Sequence, residues 1–184
     1  MEEEKTKEQR IADNAKLLER YPILRPPFPE GYEGYEGDWT MLDLVCLGWQ
    51  KIFLEACDKI MEHLKEDGAN IKDAHFYDVK EKYGILRAEF YPNDDEIDKI
   101  VSRLEERSML FCPSCGKPTK YVTKGYVLYV CEDCAKEVRM EKQPLTAADI
   151  PYYTIYEHGD NGDGKTKKTT KPAYYQREFE KQWK

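Results

Sequence analysis

The sequence predicts an α+β fold in which a small helix–hairpin–helix domain precedes a compact four-cysteine ribbon and an extended C-terminal tail. Apolar residues recur at helical spacing in residues 41–66 and again in 93–108, whereas apolar and polar residues alternate between them, as in strands. Two Cys-x-x-Cys pairs follow. These patterns divide the chain into an N-terminal helix and Pro/Gly/Tyr-rich loop (1–39), an α+β domain (40–109), the ribbon (110–142) and an aromatic and basic tail (143–184).

The composition predicts a cytoplasmic protein with no membrane segment. The chain has 184 residues, enough for a core of its own, and its formal net charge is −7. The N-terminus lacks the apolar stretch of a signal peptide, and no window approaches the ~18 apolar residues of a membrane span. An acidic chain is also a poor candidate for binding nucleic acid, because neutralising phosphate supplies most of that affinity.

The first 39 residues predict a helix followed by an irregular loop. Ile11, Ala15 and Leu18 form one weak apolar stripe, and Pro22 ends the helix. Residues 30–39 then repeat a Glu-Gly-Tyr unit that carries aromatic and acidic side chains and no basic one. Tyrosine and tryptophan are typical of recognition loops. We therefore expect Tyr32, Tyr35 and Trp39 to contact a partner, and the alternative is that they cover the core of their own domain.

The α+β domain is predicted from three segments. Residues 41–66 form a helix that Gly48 weakens at its start, with a common face that holds Leu42, Trp49, Phe53, Cys57, Ile60 and Leu64. Residues 74–91 form a hairpin that turns at Tyr83-Gly84. A third helix follows, with Asn93 as its cap and Glu96 completing a capping box. Cys46 and Cys57 are expected to be buried apolar residues on one helix face.

The four remaining cysteines predict a metal site. Cys112 and Cys115 form one Cys-x-x-Cys pair, Cys131 and Cys134 form the other, and fifteen residues separate the pairs. This spacing is typical of a structural zinc site, and residues 120–122 and 126–130 are expected to form a hairpin between the pairs. We therefore predict one structural Zn²⁺ in a zinc ribbon. Rubredoxin-type iron would use the same four ligands.

The tail offers the alternative of nucleic-acid binding. Its basic run is followed by aromatic residues, a combination that binds single strands, and it consists of Lys165, Lys167, Lys168 and Lys171. A solvated tail with a short helix at 173–183 is the competing interpretation. The ribbon itself has six basic residues, four acidic ones and two further negative charges from a zinc–tetrathiolate unit, so it is neutral.

Part of the chain resembles a family of small phage and prophage proteins. The resemblance lies in Val79–Arg87, which reads Val-Lys-Glu-Lys-Tyr-Gly-Ile-Leu-Arg, in the charged helix after it, and in the two cysteine pairs. Gly48-Trp49 also fits, and the resemblance covers roughly residues 20–138. The chain departs from the family pattern just before Gly48, where apolar residues replace a more polar stretch. The resemblance implies a phage setting and no particular activity.

These observations predict a non-enzymatic zinc-ribbon phage protein that binds a host protein and inhibits a defence or housekeeping factor. The sequence contains no recognisable nucleophile motif, phosphate-binding glycine loop or catalytic histidine–carboxylate pair. The expected contact residues are Tyr32, Tyr35, Trp39 and Arg87. The alternative is a nucleic-acid-binding regulator that uses the ribbon and the basic tail.

Overall fold

The computed structural model describes residues 5–28 and 32–146, together with the backbone of 154–157 and 167–170. Helices and antiparallel sheets both occur, which confirms the predicted α+β class. The helices are α1 (Lys7–Arg20), α2 (Gln50–Glu66), α3 (Asp95–Ser108) and α4 (Glu132–Glu137). The strands are β1 (His75–Lys82), β2 (Ile85–Tyr91), β3 (Tyr121–Thr123), β4 (Tyr129–Val130), β5 (Lys142–Pro144), β6 (Thr154–Glu157) and β7 (Lys167–Thr170).

Helix α2 begins later than the apolar pattern predicts. Residues 41–44 and 47–49 form two short 3₁₀ turns, and the α-helix starts only at Gln50. The delay has a physical cause at Gly48, whose backbone N–H bonds to the distant carbonyl of Pro113 and not to a carbonyl one helical turn earlier. At the other end Gly68, with φ +66°, lets Ala69 N–H return to the Leu64 carbonyl, as in helix C-caps.

The predicted hairpin is present and turns where expected. Strands β1 and β2 are antiparallel, and Lys82 pairs with Ile85 next to the turn. Tyr83 and Gly84 have φ of +55° and +76°, the positive values that a two-residue type I′ turn requires. A bulge lies near Tyr77, between the paired positions Phe76 and Asp78.

Helix α3 satisfies the outer edge of β2 with side chains. The N–H of Leu86 donates to Ser108 Oγ (3.0 Å), and the N–H of Ala88 donates to Glu105 Oε1 (3.2 Å). The other carboxylate oxygen of Glu105 pairs with Arg87 at 2.8 Å. Burial raises the pKa of Glu105, against the opposing effects of the Ala88 amide and Arg87. Arg87 therefore has a structural partner inside the chain, and its role in partner contact stays a prediction.

The N-cap of α3 is Asp94, whereas the sequence pattern indicated Asn93. Asp94 Oδ1 accepts from the N–H groups of Glu96 and Ile97 at 2.9 and 2.8 Å. Its other oxygen lies 2.8 Å from Nε2 of His63 on α2. A neighbouring histidine gives the charged cap a second partner, an advantage that the sequence pattern around Asn93 does not reveal.

The main core lies between α2, α3 and the β1–β2 hairpin. Trp49, Phe53 and Phe76 are fully buried in it. Tyr21, Ile23 and Leu24 also belong to this core, so it extends into the segment predicted as N-terminal. Cys57 is buried as predicted, and burial raises its pKa. Cys46 is half-buried and precedes the second 3₁₀ turn, so it does not share a helix face with Cys57.

Two strands are described in the C-terminal part of the chain. Strands β6 and β7 pair antiparallel, with Glu157 opposite Lys167 and Tyr156 opposite Lys168. The predicted helix at 173–183 lies outside the described residues. Of the helices that the structure describes, none has both the length and the apolar character needed to cross a bilayer.

The contact between His63 and Asp94 predicts a pH dependence of stability. The hydrogen bond to Asp94 raises the pKa of His63, with further support from Asp67 at 3.4 Å. Burial acts to raise the pKa of Asp94, but the Ile97 amide and His63 outweigh burial and lower it. The histidine contribution is present below an unfolded pKa of about 6.5 and is lost as the pH rises through the folded value. The aspartate contribution is present above an unfolded pKa of about 3.9 and is lost as the pH falls through the folded value.

We expect an NMR titration to place the pKa of His63 above its ordinary value. Asp94→Asn should lower it, because asparagine still caps the helix but carries no charge. Asp67→Asn should lower it less, since that carboxylate is farther from Nε2. Equal effects of the two substitutions, or none, would contradict this description of the pair.

Candidate metal centre

The four predicted cysteine ligands come together in the fold. The sulfur atoms of Cys112, Cys115, Cys131 and Cys134 all lie within 4.8 Å of one another. The Cys115 sulfur is 3.5 Å from that of Cys131 and 3.6 Å from that of Cys134. Four soft sulfur ligands at this spacing form a group that could hold one metal ion.

Each cysteine pair is positioned by a tight backbone turn. In the first turn, Cys112 N–H bonds to the Lys117 carbonyl, and Gly116 N–H bonds to the Cys112 carbonyl, both at 2.8 Å. Burial raises the pKa of the Cys115 thiol, and the backbone amide of Lys117, the residue after Gly116, opposes that rise by hydrogen-bonding to the sulfur. In the second turn, Cys131 is the N-cap of α4, and its sulfur accepts from Cys134 N–H at 3.4 Å.

The cysteine group is partly enclosed. Cys112 and Cys131 are buried, Cys134 is half-buried and Cys115 is exposed. Burial acts to raise the pKa of the Cys131 thiol, but the Cys134 amide and the neighbouring sulfurs lower it to about 7. A lowered thiol pKa favours the thiolate, which is the form of cysteine that binds a metal ion.

A small sheet joins the two turns. Strands β4, β3 and β5 lie in that order, with Tyr121 opposite Val130 and Thr123 opposite Lys142. We call residues 110–145, which include β5, the four-cysteine module. Of the predicted strand 126–130, only Tyr129–Val130 (β4) is a strand. Backbone groups of Tyr126 and Leu128 bond to the Thr123 side chain instead. Its hydroxyl donates to the Tyr126 carbonyl (2.6 Å) and accepts from Leu128 N–H (2.8 Å).

The first cysteine turn lies directly on the start of α2. Gly48 N–H donates to the Pro113 carbonyl at 2.8 Å. A Cβ at Gly48 would overlap the Cys112 carbonyl oxygen and the Gly116 nitrogen. Next to this contact, Trp49 Nε1–H donates to the Phe111 carbonyl at 2.7 Å. Only a residue without a side chain permits this approach, so Gly48 and Gly116 attach the cysteine group to the core.

A second contact joins the module to the β1–β2 hairpin. A Cβ at Gly84 would lie 2.8 Å from the Val127 carbonyl oxygen and 2.9 Å from the Tyr129 ring. The Tyr126 hydroxyl donates to Glu81 Oε2. Gly84 therefore has two roles, because it forms the turn and leaves room for the module.

Four of the five lysines of the module are paired with its own acidic residues, and Lys142 donates to the Val138 carbonyl. Lys117 and Lys136 contact Asp133 at 2.7 and 3.4 Å, and Lys120 contacts Glu132 at 2.7 Å. Lys124 pairs with Glu141. The neutral charge balance predicted from the sequence thus corresponds to specific ion pairs.

The loop residues predicted for partner contact form an aromatic cluster with Phe28. The Phe28 ring stacks on Tyr32 at 4.6 Å between centroids and lies 5.8 Å from both Tyr35 and Trp39. Tyr35 donates its hydroxyl to the Trp39 carbonyl at 3.0 Å, and Trp39 packs against the core. Tyr32 is 51% exposed and Phe28 is 38% exposed. Tyr35 and Trp39 thus partly serve the covering role that was the alternative interpretation.

Phe28 was not predicted from the sequence as a contact residue, although its position beside three prolines could have pointed to it. The structure places Arg87 on β2, with Glu105, and the contacts described for it do not include the aromatic cluster. Among the basic tail residues, Lys167 and Lys168 lie in β7. Lys165 and Lys171 lie outside the described residues.

The glycine contact predicts a position-specific loss of stability. We expect Gly48→Ala to lower the free energy of unfolding by about 3 kcal/mol or more, because the added carbon overlaps two backbone groups. Gly125→Ala is the matched control, since Gly125 has φ +83° but nothing within 4 Å of its Cβ position. That control should cost about 1–2 kcal/mol, from backbone strain alone. Urea unfolding curves measure both values, and equal losses would contradict the close approach at Gly48.

The chain was compared with protein-family models, with curated proteins and with solved structures, and none of the three comparisons finds a match.

Proposed function

We propose that this chain is a non-enzymatic, zinc-stabilised binding protein of phage origin that uses the aromatic cluster to bind a protein of the bacterial host. The observation that carries the proposal is the surface around Tyr32. Two aromatic rings, those of Phe28 and Tyr32, are exposed there, and residues 32–39 carry acidic side chains and no basic one, while Arg25 lies near Tyr35. Clustered aromatic side chains at the surface are typical of the centre of a protein interface.

The cluster is prepared for binding by its supports. Trp39 packs on the core below, and Tyr35 is tied to the Trp39 backbone. Helix α1 holds the other side of the loop, because Asn14 donates to the Gly37 carbonyl and Lys7 pairs with Glu36. A surface held in this way loses little conformational entropy on binding, which favours affinity.

Zinc is the metal we propose for the four cysteines. A tetrahedral set of four thiolates suits Zn²⁺, and it leaves no open coordination position for catalysis. The module has a small core of its own, and its buried cysteines line one part of it. The bound ion therefore supplies a large share of the stability of the module.

A protein partner is better supported than nucleic acid. The ion pairs of the module leave little positive potential for phosphate, and the loop beside the aromatic cluster is acidic. In the basic tail, strand β6 pairs with β7 so that the acidic Glu157 lies opposite Lys167 in the register, which reduces the net positive charge there. The resemblance to phage proteins makes the host cell the source of the partner, and a defence or housekeeping factor is the expected target.

Metal analysis tests the zinc site. We expect one zinc per chain by mass spectrometry, and Cys115→Ser together with Cys134→Ser should reduce it below about a tenth of that. Removing zinc with a chelator should expose residues 110–145 to limited proteolysis, while α2 stays protected. Cys46→Ser is the control and should keep full zinc content. Chelation that removes the metal without changing proteolysis would show that the ion is not structural.

Partner capture tests the aromatic cluster. The tagged chain should retain a discrete host protein from nuclease-treated bacterial lysate at moderate salt. Tyr32→Ala should reduce capture at least about tenfold, as expected for an interface centre. Tyr77→Ala is the matched control, because that side chain is equally exposed (52%) but lies on β1, outside the cluster. Equal capture by the two variants would remove the cluster from the proposal, and capture that requires nucleic acid would favour the regulator.

A further inference from the structure

A groove between α2 and α3 concentrates positive charge on this acidic protein. The cavity has a volume of about 310 Å³ and is lined by Ile52, Ala56, Lys59, Ile100, Arg103, Leu104 and Arg107. Its apolar residues are at most 6% exposed and form the floor, whereas Lys59 and Arg103 are exposed at the rim. The formal charge of the whole chain is −7, yet the three charged residues that line this cavity are all basic.

The cations of the groove differ in their availability. Arg107 is paired with Glu55 at 2.7 Å, so part of its charge is compensated. Within the described part of the chain, no ion pair or hydrogen bond is found for Lys59 or Arg103. These two side chains come from different helices and face one groove, where an arriving anion would contact both.

The ends of the groove limit the size of its ligand. The two helices run antiparallel, because Arg107 near the end of α3 meets Glu55 early in α2, and Asp94 before α3 meets His63 late in α2. These two pairs lie at opposite ends of the contact between the helices. Because a charged pair lies at each end, the apolar part of the groove is short. A groove of this length suits a small molecule better than a partner helix.

We propose that the α2–α3 groove is a binding site for a small organic anion, whose carboxylate or phosphate group contacts Lys59 and Arg103 and whose apolar body covers the floor formed by Ala56 and Leu104. The arginine guanidinium provides paired donors that fit either type of anionic group. Buried apolar side chains below add affinity for a ligand that carries hydrocarbon. This site is separate from the aromatic cluster and does not depend on the proposed function.

The test is an NMR titration of the ¹⁵N-labelled full chain with four probes. 1-Naphthyl phosphate and 1-naphthoate combine an anionic group with an apolar body, inorganic phosphate lacks the apolar body, and 1-naphthol lacks the charge. We expect saturable shifts at residues 56–59 and 100–104 with either naphthyl anion. Naphthol should bind at least about tenfold more weakly, because it lacks the charge. Phosphate should bind about twofold to fourfold more weakly, because the floor residues expose only a little apolar surface to a ligand. The tighter of the two naphthyl anions identifies the preferred anionic group.

Charge reversal separates the groove from general electrostatics. Lys59→Glu with Arg103→Glu should weaken binding of the tighter anion at least about tenfold. Lys51→Glu with Lys65→Glu makes the same change in net charge on exposed positions of α2 outside the groove, and should change binding less than about twofold. The neutral pair Lys59→Gln and Arg103→Gln repeats the test without added repulsion. Equal weakening in the matched variants, phosphate binding as tightly as naphthyl phosphate, or no saturable shift at the groove would overturn the proposal.

Discussion

The backbone of Gly48 lies against the backbone of the first cysteine turn, and both parts of the molecule depend on this contact. The N–H of Gly48 bonds to the Pro113 carbonyl and so makes no α-helical hydrogen bond, and α2 starts only after this residue. The bond from Trp49 to the Phe111 carbonyl fixes the chain just before Cys112. The start of a core helix and the position of the first cysteine turn are thus determined by one junction. Two glycines are required there, because a side chain on either would separate the two backbones.

Polar side chains elsewhere supply hydrogen-bond partners that a two-stranded sheet does not provide. Without them the outer edge of β2 would be free to pair with another chain, which is a hazard for exposed strands. Glu105 and Ser108 occupy that edge, and Arg87 compensates the buried carboxylate. Similarly, the Thr123 hydroxyl bonds to backbone groups of Tyr126 and Leu128 and so closes the turn between β3 and β4.

Sequence patterns predicted those features that depend on neighbours in the chain. Alternation at Leu86, Ala88 and Phe90 located β2, the Tyr83-Gly84 pair located its turn, and the spacing of the cysteines predicted their cluster. Features that depend on distant residues were missed or misplaced. Asp94 and not Asn93 is the cap, and its second partner, His63, comes from 31 residues earlier in the chain. Strand β5 was not predicted, since its short segment gains its partner only when β3 is already in place. The basic groove is likewise formed by residues from two helices that no local pattern connects.

We propose that a metal ion bound by the four cysteines holds the first turn on the core. Hydrogen exchange of the Trp49 indole N–H, before and after removal of the metal by a chelator, tests this claim most directly. The indole N–H bonds to the carbonyl of Phe111, next to the first ligand, so it reports on the junction itself. If the claim is right, removal of the metal will greatly increase exchange at this group while amides in the middle of α2 stay protected. Unchanged protection of the Trp49 indole in the metal-free protein would contradict it.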